Sequence, residues 1–199
     1  MIYYLSKYIC LFFLFLFFHF RVSGSSFIPK SGPCLIVSNH SSYLDPVVIG
    51  CASPRRVYFV AKEELFRHPL TNFFLHQLGA FSLKRDEADK SAVRAIFSLL
   101  KQGKVVCLFP EGTRNSGQVR EFRPGSVKLL IRAKVPVVVA GISGTYYSMP
   151  RGKNFPRPFP VQVNYAPPLE MADPEPEELA GRIRGKMEEL TNVRTTEND

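Results

Sequence analysis

The sequence predicts an α/β fold, a largely parallel central sheet flanked by helices, preceded by an N-terminal hydrophobic membrane-anchoring helix. Three observations carry this expectation. Short runs rich in β-branched and aromatic residues (CLIVS, VYFVA, VVCLFP, PVVVAGIS) alternate with longer stretches whose apolar residues recur at helical spacing. Turn residues separate most of these runs. The N-terminus is a dense apolar stretch unlike anything after it. The chain has 199 residues, long enough to bury a sizeable core, and its 45% hydrophobic content excludes a disordered tail.

Residues 8–20 read YICLFFLFLFFHF, between Lys7 and Arg21. About 20 apolar residues are needed to cross a bilayer, so this run is short for a span. Arg21 and Val22 separate it from the small residues SGSS, which favours a retained anchor or embedded arm over a cleaved signal peptide. Arg21, Lys30, Arg55 and Arg56 follow the run and would keep the rest on the cytoplasmic side, at the inner membrane of a cell. The expected division is therefore an anchoring segment over 1–26 and one globular domain over 27–199.

CLIVS (34–38) is the first buried strand, followed by a loop or helix start and a helix beginning near Asp45-Pro46, where a proline's missing N–H costs nothing. VYFVA (57–61) is the second strand. Residues 62–79 read as helix in two pieces, broken near Pro69. AFSLKR (80–85) is the third strand. Val93, Ile96, Phe97 and Leu100 repeat at helical spacing, with Asp89 as a cap and Gly103 as the stop. VVCLFP (105–110) is a strand, SVKLLIRAK (126–134) a helix opened by Pro124-Gly125, and PVVVAGIS (136–143) and PVQVNYA (160–166) the fifth and sixth strands. A last helix starts at Asp173-Pro174 and carries Leu179, Ile183, Met187 and Leu190 on one side.

The formal net charge of +9 suits nucleic acid, an anionic membrane surface or a phosphate-bearing substrate. No helix is strongly basic and the positive charges are scattered, which argues against nucleic acid. The four cysteines, at 10, 34, 51 and 107, form no CxxC pair and no metal-ligand spacing. They read as buried, reduced thiols, and no metal site is expected.

In α/β sheets, sites gather where strands end, and two unusual segments stand there. In VSNHSSYLDP, His40 and Asp45 are five positions apart. On a continuous helix they would lie roughly 140° apart around the axis. If the chain turns at Ser41–Tyr43, Asp45 folds back and holds one imidazole nitrogen, leaving the other as a base. Taken alone, the segment equally fits a helix cap with a polar surface histidine. In FPEGTRNSG, Gly112 permits close backbone approach, Arg114 offers a planar fork suited to phosphate, and Glu111 can accept from a hydroxyl or hold Arg114. Arg85, at the end of LKR, is a further cation.

Together these segments resemble the glycerolipid acyltransferase family, whose bacterial members include 1-acyl-glycerol-3-phosphate acyltransferases. The family's HxxxxD motif matches His40 to Asp45, and its FPEGTR block matches Phe109 to Arg114 in full. A second block ending in arginine resembles GAFSLKR, and a valine-proline block resembles Val135-Pro136-Val137. Two positions depart from the pattern. Phe122-Arg123-Pro124-Gly125 stands where FKxG is common, and Lys84 where an acidic residue often precedes the arginine.

The resemblance implies that His40 is the base and Asp45 its orienter, with Arg85, Glu111, Gly112, Thr113 and Arg114 binding substrate. It implies no cofactor. Acyl-CoA or acyl carrier protein would be co-substrate, a lysophospholipid the acceptor, and the membrane a partner. The acceptor implied is lysophosphatidic acid; another lysolipid, such as a lyso-ornithine lipid, would use the same pair. A serine hydrolase would need a G-x-S-x-G elbow, which is absent, and a metallophosphatase would need more ligands. A non-catalytic lipid-binding protein is opposed by the intact His40 and Asp45.

Overall fold

The computed structural model describes residues 2–62, 80–83, 88–150, 152–153, 155–170 and 174–192. The expected helical pieces over 63–79, Asp173 and the tail from 193 lie outside them.

The order of elements is α1 (Ile2–Phe18), β1 (Arg21–Ser23), β2 (Cys34–Ser38), α2 (Asp45–Ala52), β3 (Val57–Lys62), β4 (Ala80–Leu83), α3 (Ala88–Lys101), β5 (Val105–Leu108), α4 (Pro124–Ala133), β6 (Val137–Ser143), α5 (Thr145–Ser148), β7 (Gln162–Tyr165) and α6 (Pro176–Asn192). The strands form one sheet in the order β1-β7-β6-β2-β5-β3-β4. Every pairing is parallel except β6 with β7. The expected α/β architecture is therefore present, with one antiparallel step toward an edge.

β2 lies in the middle because nothing in CLIVS needs water. All five residues are buried, as a strand covered on both faces requires. Alternation divides them between two layers. Cys34 and Ile36 join Val48, Ile49 and Cys51 of α2 and Leu14 and Phe18 of α1. Leu35 and Val37 join Ile96 and Leu100 of α3, Leu130 of α4, and Leu179, Ile183 and Met187 of α6. The helical stripes read from sequence in α3 and α6 are those that face the sheet.

The N-terminus packs onto the sheet. Among the described residues no helix is long and apolar enough to cross a membrane. α1 instead lies on the sheet layer that also holds α2, burying Tyr3, Lys7, Leu14 and Phe18. The Lys7 ammonium donates to the Ser53 carbonyl at the end of α2. Immediately afterwards β1 joins the sheet edge beside β7. Residues before 26 thus supply a helix and a strand to the same body as the rest, so a division at that point does not separate two packed units.

Gly141 in β6 shows how tightly the opposite layer is fitted. A Cβ there would lie 2.5 Å from Leu190 Cβ and 2.8 Å from the Leu190 carbonyl carbon. The end of α6 can press on the strand only because that side chain is missing. The Asn164 amide fixes the same turn by donating to the Leu190 carbonyl at 2.8 Å. Gly141→Ala should force α6 outward and lower unfolding stability by about 1–3 kcal/mol. Urea denaturation measures this, and an unchanged midpoint would mean that α6 yields freely.

Candidate active site

β2 is flanked by β5 and β6, both parallel to it, so three strand ends open on one edge of the sheet. The loops leaving them carry His40, the Phe109–Asn115 string, and Thr145–Met149.

The segment after β2 is fastened to all of these. Asn39 extends the β2–β6 pairing through its side chain. Its amide donates to the Ile142 carbonyl at 2.9 Å and accepts from the Ile142 N–H at 2.8 Å. The main chain of His40 is held from the β5 side. Its N–H donates to Glu111 Oε1 at 3.3 Å, and its carbonyl accepts from the Asn115 N–H at 2.9 Å. Ser41 and Ser42 turn toward the β6 loop, with Ser41 Oγ 3.2 Å from Thr145 Oγ1 and Ser42 Oγ donating to the Met149 carbonyl at 2.8 Å.

The chain then turns and Asp45 opens α2. Its carboxylate is fully buried. One oxygen, Oδ2, accepts from the Ser41 N–H at 2.6 Å and the Ser42 N–H at 2.8 Å, and lies 2.8 Å from His40 Nδ1. An ionised carboxylate can only accept, so Nδ1 carries the proton and Nε2 is left as the basic nitrogen. The imidazole is 19% exposed. Its ring lies on Phe109, centroids 4.3 Å apart and planes 20° apart, and Phe109 in turn stacks on Phe59. The ring is thus fixed by a carboxylate at one edge and an aromatic platform beneath.

Glu111 links the two loops through both of its oxygens. Besides His40, its carboxylate takes the Asn115 amide, so both oxygens serve the loops. Burial raises its pKa above the usual carboxylate range. The Asn115 amide and the His40 N–H oppose that shift. Gly112 sits at φ 68°, and a Cβ there would come within 2.1 Å of Arg123 Nε. Glycine is needed both for the left-handed backbone and to let the Arg123 side chain lie across it. Thr113 faces elsewhere, with Glu111, Val119, Arg120, Glu121, Arg184 and Glu188, around an open hollow of about 530 Å³ that neither His40 nor Arg114 lines. Arg85 lies outside the described residues.

Arg114 comes back over the His40 segment. Its guanidinium carbon is 3.5 Å from the centroid of the Tyr43 ring. Tyr43 stands between His40 and Asp45 in sequence and is half-exposed. Stacking holds the guanidinium flat without consuming its N–H donors, since a cation over a ring face needs no hydrogen bond. Sequence reasoning does not single out Tyr43, Phe109, Asn39 or Asn115. Only their adjacency to His40, Asp45 and Arg114 marks them, and their partners lie up to 103 positions away.

The arrangement is a buried-carboxylate–imidazole pair with one free nitrogen, beside an arginine whose donors meet no acceptor among the described residues. A family model for acyltransferases matches residues 19–143. The chain belongs to the acyltransferase family. It is 29% identical over 180 residues to a 1-acyl-sn-glycerol-3-phosphate acyltransferase of Bacillus subtilis, covering 86% of this chain and 88% of that one. It is 28% identical to a protein of the same description from Borreliella burgdorferi, over 83% of this chain and 69% of that one. The crystal structure of the 1-acyl-sn-glycerophosphate acyltransferase PlsC from Thermotoga maritima superposes with a TM-score of 0.74 at 30% identity, covering 85% of this chain and 69% of that one.

Asp45→Ala and His40→Ala should separate the two duties of the carboxylate. The first orphans two main-chain N–H groups and should cost about 2–6 kcal/mol of stability, on the order of 1–3 for each buried donor. The second leaves those bonds in place and should cost much less. Denaturant unfolding of both variants is the check; equal losses would mean that the Ser41 and Ser42 bonds carry no weight.

Proposed function

We propose that this chain moves an acyl group from a thioester donor, acyl-CoA or acyl carrier protein, to the free sn-2 hydroxyl of lysophosphatidic acid, giving phosphatidic acid. The observation that carries the reading is the paired geometry of His40 and Asp45 beside Arg114, whose donors meet no acceptor among the described residues. The similar 1-acyl-sn-glycerol-3-phosphate acyltransferases support the acceptor.

The chemistry follows from the positions of the groups. His40 Nε2 takes the proton from the acceptor hydroxyl as that oxygen attacks the thioester carbonyl carbon. Asp45 offsets the charge of the imidazolium that forms. When the tetrahedral adduct collapses, the carbon–sulfur bond breaks and the imidazolium returns its proton to the departing thiolate. No acyl-enzyme is required, because the donor is already activated. Arg114, held flat on Tyr43, binds the acceptor phosphate through the edge of its guanidinium. Arg85, two positions beyond β4 in the sequence, would add a second cation.

Membrane association is part of the same reading. The outer side of α1 exposes Leu5, Tyr8, Ile9, Phe12, Phe13, Phe15 and Leu16. An apolar helix face docked along a domain suits a helix lying in the interfacial plane rather than one crossing the bilayer. The catalytic body would then sit on the cytoplasmic face of the inner membrane.

Acyl transfer from labelled acyl-CoA, and separately from acyl carrier protein, to lysophosphatidic acid, lysophosphatidylcholine and a lyso-ornithine lipid is the test. Wild type should form labelled phosphatidic acid, and His40→Ala should lose on the order of 10²–10⁴ in rate. Transfer by the variant at the wild-type rate would remove His40 from the mechanism. Tyr43→Ala should raise KM for lysophosphatidic acid several-fold with kcat retained, corresponding to the ~0.5–2 kcal/mol of a cation over an aromatic face. Tyr43→Phe should stay close to wild type. An equal loss in both would assign the effect to the hydroxyl instead.

A further inference from the structure

The chain from α5 to the start of β7 leaves the body in a loop whose outer side is aromatic and basic. Phe155 is 84% exposed and Tyr147 63%, and Phe159 is exposed as well. The Tyr147 and Phe159 rings gather against each other, centroids 5.0 Å apart. Lys153 and Arg157 are exposed between them. From Gly144 to Leu169 the sequence contains no aspartate or glutamate. A monomeric soluble surface rarely displays such a group of large apolar side chains without use.

The loop is not a loose excursion. Its neck is closed by Ser148 and Arg157: the Arg157 N–H donates to the Ser148 carbonyl at 2.7 Å, and Ser148 Oγ donates to the Arg157 carbonyl at 2.9 Å. Pro150, Pro156, Pro158 and Pro160 stiffen it and present no N–H that would need a partner away from water. Its near end carries Thr145 and Met149, the residues that receive Ser41 and Ser42 beside His40. Its far end runs into Val161, whose N–H donates to the Phe18 carbonyl at the end of α1 at 2.9 Å. The loop is therefore tied at one end to the segment that holds His40 and at the other to the end of α1.

We propose that this loop is a second bilayer-contact element, in which Tyr147, Phe155 and Phe159 enter the headgroup region of an anionic membrane while Lys153 and Arg157 meet lipid phosphates. The inference rests on the membrane-association reading of α1 and extends it. Aromatic rings suit the interfacial zone, and cations beside them favour negatively charged lipid. The bilayer would then touch both the helix and the segment that holds His40. The mouth of the site would meet the surface in which a lysolipid acceptor resides.

The chain contains no tryptophan, so the full-length Phe155→Trp protein reports on this one position. Phosphatidylglycerol–phosphatidylethanolamine vesicles should shift its emission to the blue, and lipids brominated along the upper acyl chain should quench it. A Glu177→Trp protein, labelled on the exposed side of α6, should show neither effect. Adding Lys153→Gln and Arg157→Gln to the Phe155→Trp protein should weaken vesicle binding by about tenfold or more. Co-sedimentation with the same vesicles reads membrane association as a whole. Sedimentation of the Phe155→Trp protein with its indole emission unshifted would overturn the loop's role and leave α1 as the contact. Failure to sediment, with transfer to a detergent-dispersed acceptor intact, would overturn both the loop and the membrane reading while leaving the chemistry standing.

Discussion

One oxygen atom organises the site. Oδ2 of Asp45 gathers two main-chain N–H groups and the His40 imidazole in a place without solvent. A buried carboxylate is costly unless such donors surround it. The turn from Ser41 to Leu44 is the shape that supplies them. The same turn brings Ser42 under the β6 loop and delivers Tyr43 to the side where Arg114 descends. His40, Asp45 and Arg114 thus come together through one local folding event at the end of a central strand. The strand itself needs only apolar residues. The geometry of the site is added after it, within a few residues.

The second loop works mainly as a clamp. Glu111 and Asn115 grip His40 from both sides of its peptide, and Phe109 supports its ring. Three residues of one short string hold His40 in place, and another, Arg114, lies over Tyr43. This division explains why the string combines an apolar ring, a buried acid, a glycine and an arginine in close succession. Phe109 meets the His40 ring, Glu111 its main chain, Gly112 the Arg123 side chain and Arg114 the Tyr43 ring, and a uniform polar loop could not satisfy all four.

Much of this is legible in the sequence, for identifiable reasons. CLIVS and PVVVAGIS are apolar on both faces, so their burial and their parallel setting follow directly. The stripe Leu179, Ile183, Met187 and Leu190 marks the buried side of α6. β1 is not legible, because three exposed residues, Arg21–Ser23, carry no alternation to read. The role of α1 is hidden for another reason. Its composition announces apolar surroundings but does not say which side meets protein and which meets something else, and Lys7 reads as a flank when it is a buried donor. In the site, His40 and Asp45 are readable because their spacing is local. Tyr43 with Arg114, and Asn39 with Ile142, are not, since stacking and amide pairing across strand ends leave no trace in residue order. That Glu111 joins His40 to Asn115 is not legible either, because a carboxylate's partner cannot be told from its type.

The contact between Gly112 and Arg123 has a consequence for how such a chain can change over generations. The arginine side chain fills the volume that any larger residue at position 112 would claim, so the two positions share one space. A side chain introduced at position 112 would have to push the Arg123 side chain aside, and that group is exposed and can swing into solvent. The left-handed backbone at 112 is the firmer barrier, because it resists a side chain whatever stands at 123. A lineage that shortened position 123 would therefore relieve only the crowding, and glycine would still be favoured at 112.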